Sequence, residues 1–171
     1  MRQILAILLL VVITTSTTAE VIRGHSWDDT LDQVKQRESA KPTEEITQKQ
    51  RLLLKYDTEL LGKNVTLTYF FDVACKQLRQ VSYIFPEELP RQMYHYITEI
   101  LKEKYGESHQ TSLLKNRFTD HHTWTTETNI IVAYNKDGKT HIGYSILKTA
   151  SFWPKDCPAI DKIKQDLKDK L

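Results

Sequence analysis

Apolar positions along the chain recur with two spacings, one near 3.6 residues and one of two, and their order predicts the elements. Trp27, Leu31 and Val34 stand at i, i+4 and i+7, behind a hydroxyl N-cap at Ser26 and two first-turn acids, Asp28 and Asp29. A short helix is therefore expected, ending near Glu38. Residues 39–50 are polar, include Pro42, and read as a loop. Three strands are expected next. The first is a short apolar run over 52–56. In the second, Val65, Leu67, Tyr69 and Phe71 alternate with Thr66, Thr68 and Phe70, and in the third Val81, Tyr83 and Phe85 alternate with Gln80, Ser82 and Ile84. Residues 72–76 form the loop between these last two and carry Cys75.

Pro90 suits the first turn of a second helix, where its missing N–H costs nothing. Met93, Ile97, Ile100 and Leu101 give that helix an apolar stripe, with Lys102 and Lys104 in the last turn and Gly106 just beyond it. After a polar stretch, three further alternations are centred on Trp124-x-Thr126-x-Thr128, Ile130-x-Val132-x-Tyr134 and Ile142-x-Tyr144-x-Ile146, with a turn at Asn135-Lys136-Asp137-Gly138. Ile160, Ile163, Leu167 and Leu171 fall on one face of a terminal helix.

The resulting order, α-βββ-α-βββ plus a C-terminal helix, leads to an α+β fold of two layers. An antiparallel sheet of about six strands is expected, with the helices on one face. The large residues of the strands would then face the helices, leaving Thr66, Thr68, Gln80, Ser82, Ala133, Gly143 and Ser145 on the other side as a flat surface for a protein partner. Phe152-Trp153-Pro154, if exposed, adds an apolar anchor at Trp153.

The start of the chain changes the compartment. Arg2, a charge-free run over 4–13 and small residues ending in Thr17-x-Ala19 have the layout of a secretory signal peptide. Ten apolar residues at 1.5 Å each span about 15 Å, half a bilayer core, so the run is too short for an anchor. The expected organisation is a leader over 1–19, one domain over 20–153 and an amphipathic tail over 154–171. The protein is expected in the periplasm or outside the cell, with no membrane association once the leader is removed. There Cys75 and Cys157 can pair, closing a loop of about 80 residues worth roughly 4 kcal/mol in a chain-entropy account.

Composition narrows the chemistry. Twenty-four basic residues against 22 acidic ones give a net charge of +2, too small and too mixed to suggest nucleic acid as a partner. The five glycines are scattered and form no phosphate-binding loop. No serine stands in G-x-S-x-G; Gly143-Tyr144-Ser145 continues as a strand. The acid pairs Asp28-Asp29, Glu44-Glu45 and Glu87-Glu88 fall at helix starts or in loops. His121-His122 beside Trp124 is the most ligand-like pair and motivates an alternative, a small metal-dependent hydrolase. Neighbours in an extended segment point to opposite sides, however, which disfavours a shared metal. No cofactor is expected. Asn64-Val65-Thr66 matches the N-glycosylation sequon.

The stretch Arg23-Gly24-x-x-Trp27-x-x-Thr30-x-x-x-Val34-Lys35-x-x-Glu38 resembles the opening of a group of small uncharacterised bacterial exported α+β domains. Tyr69-Phe70-Phe71, Leu78-x-x-Val81-x-Tyr83-x-Phe85, Lys104-Tyr105-Gly106 and Trp124 followed by Thr128-x-Ile130-x-Val132 extend the likeness over roughly residues 22–147. The resemblance implies an exported bacterial protein without assigned catalysis, in which the sequon is not modified. The expected architecture is also similar to β-lactamase-inhibitor-protein-like domains and small outer-membrane assembly lipoproteins, which bind proteins. The chain departs from the latter in having no lipid-attachment cysteine, and its tail with Cys157 extends past the shared pattern. Together these readings point to a non-enzymatic protein-binding module of the bacterial envelope or the extracellular space.

Overall fold

A computed structural model describes residues 20–48, 51–86, 90–109 and 120–147. A small antiparallel hairpin, β1 (Glu20–Ile22) and β2 (His25–Ser26), precedes the helix α1 (Leu31–Arg37). The strands β3 (Glu44–Gln48), β4 (Arg51–Leu60), β5 (Lys63–Asp72) and β6 (Leu78–Ile84) follow, then the helix α2 (Pro90–Tyr105). The described chain ends with β7 (His121–Thr125), β8 (Asn129–Lys136) and β9 (Lys139–Ile146). Seven strands form one antiparallel sheet in the order β3-β4-β5-β6-β9-β8-β7.

The expected α+β class with α-βββ-α-βββ order is overturned. Among the described residues the fold is mostly β, 54% strand and 20% helix, with two helices. The main departure is β3, which lies in the polar stretch over 39–50 that the sequence pattern predicts as a loop. Glu44, Glu45, Thr47 and Gln48 are all exposed on this edge strand, so no apolar alternation announces it. Its register on β4, with Ile46 opposite Leu53, supplies its order, and its charges discourage pairing with another sheet. The terminal helix expected over 158–171, together with Trp153, Cys157 and the leader over 1–19, lies outside the described residues.

Pairing across the sheet aligns two rows on one face. Leu54, Tyr69, Val81, Tyr144, Ile131 and Trp124 make the first; Tyr56, Leu67, Tyr83, Ile142, Ala133 and His122 make the second. All but His122 belong to one buried apolar cluster, which also holds Val34 of α1 and Tyr94, Ile97 and Leu101 of α2. Both helices therefore cover this helix face. Each large side chain buried there contributes about 1.5–3 kcal/mol from lost water contact. The stripe on α2 is shifted from expectation: Tyr94 and Thr98 are buried with Ile97 and Leu101, while Met93 and Ile100 are only partly so. The helix closes as expected, on Gly106 with a left-handed φ of 83° and its N–H on the Lys102 carbonyl at 2.8 Å.

The first helix begins later than the sequence suggested. Asp29 accepts from the Ser26 N–H and hydroxyl, both at 3.1 Å, which closes a turn where the helix start was expected. Thr30 is the N-cap instead: it accepts from the Gln33 N–H while the Gln33 side chain accepts from the Thr30 N–H at 2.8 Å. Bonds from Leu31 N–H to the Lys76 carbonyl and from Leu78 N–H to the Asp29 carbonyl join this cap to the β5–β6 turn. Thr30→Ala is expected to lower stability by about 1 kcal/mol, read as a lower urea midpoint at unchanged slope. Thr126 and Thr128, expected in a strand, occupy the β7–β8 turn, where the Thr126 hydroxyl accepts from the Asn129 N–H at 3.0 Å. No helix among the described residues is long and apolar enough to cross a membrane.

Candidate functional site

Thr66, Thr68, Gln80, Ser82, Gly143 and Ser145, expected to form a binding surface, share one face of the sheet, opposite the helices. Thr66 pairs with Ile84, Thr68 with Ser82, and Phe70 with Gln80 across β5 and β6. Ser82 then faces Gly143, and Gln80 faces Ser145, on β9. Ala133 does not belong to this outer face: it pairs with Ile142, is fully buried and points into the core. The phase of β8 is the reason. In the unbroken run Ile130-Ile131-Val132, either alternation is sterically acceptable, and the helix face takes Ile131.

That phase changes the chemistry of the outer face. Ile130, Val132 and Tyr134 stand on it, with Ile46, Leu53, Phe70 and Ile84 from other strands. Leu53 and Thr68 are 7% and 3% exposed, as buried as core residues; Phe70, Ile84, Ile130 and Val132 are half-buried. The surface is thus a mixture of apolar side chains with Thr66, Gln80, Ser82 and Ser145. Its margins are charged: Lys55 pairs with Glu44 at 2.7 Å, and the Arg51 guanidinium stands 6.0 Å from the Phe70 ring centre. Tyr134 and His141 stack at 4.6 Å, nearly parallel, and burial pulls the His141 imidazole below its ordinary range. At one end of the face, Asp57, Asn64, Thr66, Ile84, Pro86 and Lys139 surround an open depression of about 820 Å³.

His121 and His122 fall on opposite faces, as their adjacency in a strand requires. His122 lies on the helix face, stacked on Trp124 with ring centres 5.8 Å apart, and its Nδ1 is 2.5 Å from the Ser108 hydroxyl. Burial, and then the neighbouring His121, lower its affinity for a proton. His121 points to the outer face, is 1% exposed, and neither ring nitrogen has a hydrogen-bond partner among the described residues. Among the described residues no three His, Cys, Asp or Glu side chains converge as metal ligands. A hydrolase centred on both histidines would need them on one side of the strand.

A buried ionic network beneath α1 has no signal in the sequence pattern. His25 is 1% exposed and sits between two carboxylates, with Nδ1 3.2 Å from Asp29 and Nε2 3.2 Å from Glu38. An imidazole satisfies both only by donating from both nitrogens. Glu38 also pairs with Arg23 at 3.2 Å and accepts from the Tyr69 hydroxyl, while Asp29 pairs with Arg37. Burial alone would raise the Glu38 carboxyl, but the His25 and Tyr69 hydrogen bonds and the Arg23 charge outweigh it and hold the group at about 2. Burial, reinforced by Glu38, pushes the Tyr69 phenol well above its ordinary range. These groups satisfy one another and clamp the N-terminal hairpin to β5.

Cys75 lies half-buried in the β5–β6 turn, and the described residues include no free cysteine. No protein-family model matches the chain, and no curated protein or solved structure is found to be similar to it.

Proposed function

We propose that the chain is an exported, non-enzymatic module of the bacterial envelope or the extracellular space, and that it binds another protein on the outer face of its sheet. One observation carries this reading. The face away from both helices holds half-buried Phe70, Ile84, Ile130 and Val132 among Thr66, Gln80, Ser82 and Ser145, where a solvated antiparallel sheet ordinarily presents polar side chains. Apolar area ringed by small hydrogen-bonding groups and a charged margin is the pattern of a protein-binding patch. The compartment follows from the leader-like start of the sequence, and an internal Cys75–Cys157 bridge belongs to the same proposal.

The test is a photo-crosslinking amino acid at Gln80, compared with one at Glu103 on the exposed side of α2, in cells that make the protein. A discrete adduct to another exported protein should form from Gln80 and fall at least five-fold with Ser82→Arg. Thr68 is less suitable for this control, since its burial makes a large substitution read on stability as well. An identical adduct from Glu103, or none from Gln80, would overturn the proposal.

A further inference from the structure

We infer that His25 is a pH-dependent latch. Carrying a proton on each ring nitrogen, it fastens the N-terminal hairpin to Asp29 and Glu38; when one proton leaves, the hairpin comes free while the seven-stranded sheet stays folded. The latch operates whether or not a partner occupies the outer face.

The ring geometry defines the two states. Nδ1 is 3.2 Å from an Asp29 oxygen, Nε2 is 3.2 Å from a Glu38 oxygen, and the residue is 1% exposed. A neutral imidazole has one N–H and one lone pair, so either tautomer keeps one bond and sets the lone pair against the other carboxylate. In an enclosed site solvent does not relieve that contact. The ionisable groups around the ring come from several elements. Asp29 is supplied by the turn before α1, Arg37 and Glu38 by the end of α1, and Arg23 by the hairpin; Tyr69 of β5 stands edge-on to the imidazole with ring centres 5.1 Å apart. Tyr56 of β4 packs edge-on against Tyr69, and Tyr83 of β6 hydrogen-bonds Arg23. Three cations then face two carboxylates. The Arg23 and Arg37 side chains are 38% and 47% exposed and screened by water, however, whereas the imidazolium is shut in with both acids.

Histidine is the residue type that ordinarily changes charge near neutrality. Burial pushes the Tyr69 phenol well above its ordinary range and the Tyr83 phenol up to about 12, so both stay protonated there. A proton held only in the fastened state favours that state, and its contribution is complete at the acid end and lost as pH rises. Glu38, whose ionised form favours folding, works in the opposite sense. The hairpin can respond alone because its two strands form a sheet of their own, with Ile22 partly buried against the core. Beyond the latch, Trp27 is buried in the core and its indole N–H donates to the Asn129 side-chain oxygen at 2.7 Å. That anchor limits the released stretch to residues 20–26.

The experiment is nuclear magnetic resonance on the purified, isotopically labelled chain. At pH 6, proton–nitrogen correlation spectra should show a hydrogen on both His25 ring nitrogens. Between pH 6 and pH 9, amide protection over residues 22–26, taken relative to the unstructured exchange rate at each pH, should fall at least five-fold, while the amides of β5 keep theirs. His25→Gln should abolish this pH response. Glu38→Gln should abolish it by another route: its carboxamide N–H can donate to Nε2 of a neutral imidazole, so hairpin protection should be equal at pH 6 and pH 9 although overall stability is lower. If a variant unfolds, the wild-type measurements decide alone. A His25 ring nitrogen without hydrogen at pH 6 overturns the inference, as does hairpin protection that is constant to pH 9 or that falls in parallel with β5. A pH response that survives in His25→Gln overturns it as well.

Discussion

Replacing Glu38 by alanine is expected to cost about 3 kcal/mol of stability at neutral pH, because it strands His25 between one remaining carboxylate and an empty space. The Glu38 side chain is 6% exposed and receives three groups from separate parts of the chain: Arg23 and His25 from the N-terminal segment and Tyr69 from β5. Its removal leaves Tyr69 without the acceptor that balances its burial and frees Arg23 to swing into solvent. Arg23 is itself partly exposed, so screening by water keeps the loss toward the lower end for a broken buried pair. The unfolding midpoint in urea, at constant slope, measures the effect.

The same residue fixes the response to acid. Its carboxyl is held at about 2 in the folded chain against an ordinary 4.5. A lowered folded value means that the ionised form favours folding. The contribution is complete above pH 4.5 and declines as pH falls from there toward 2. Glu38→Gln should consequently be less stable than the wild type at pH 7, with the difference narrowing across that interval. A difference that stays constant from pH 7 to pH 2 would show that the carboxylate charge is not what holds the hairpin.

How much of this was legible depended on whether an element has one wet side. β5 and β6 each bury one face, so their alternations name Val65, Leu67, Tyr69, Phe71, Val81, Tyr83 and Phe85 as core, and all seven are buried. β3 is wet on both sides and left no trace in the pattern; with it the strand count was lost. β8 failed differently: three consecutive apolar residues carry no phase, and only the neighbours on β9 and α2 select Ile131 and Ala133 for the core. On β5 and β6 the alternation puts Thr66, Gln80 and Ser82 on the outer face, and that face is less polar than expected because Phe70 and Ile84 of these strands stand on it together with Ile130 and Val132 of β8. The ionic network was invisible because Arg23, His25, Asp29, Glu38 and Tyr69 are spread over 47 positions. Asp29 looked like a first-turn acid, and it is instead the acceptor that delays the helix to Thr30.

Trp124→Ala should lower stability by about 4 kcal/mol, the upper range for removing a large aromatic from a packed interior. Trp124 is 2% exposed, pairs with Ile131 on β8, and extends the buried row that begins at Leu54 on β4 to the far side of the sheet. Its ring stacks on His122, and its indole N–H donates to the Gly106 carbonyl at 2.8 Å, tying the end of α2 to β7. The substitution therefore loses three things: apolar area, a ring contact, and the partner of a carbonyl beyond the helix end. Trp124→Phe retains most of the area and omits the hydrogen bond, so it should recover more than half of the loss. The local consequence is equally testable. With the Gly106 carbonyl released, amide exchange in the last turn of α2 should accelerate relative to β5, whose hydrogen bonds run to β4 and β6 on either side. Uniform acceleration across α2 and β5 would instead mean that Trp124 supports the whole sheet and has no particular role in seating the helix.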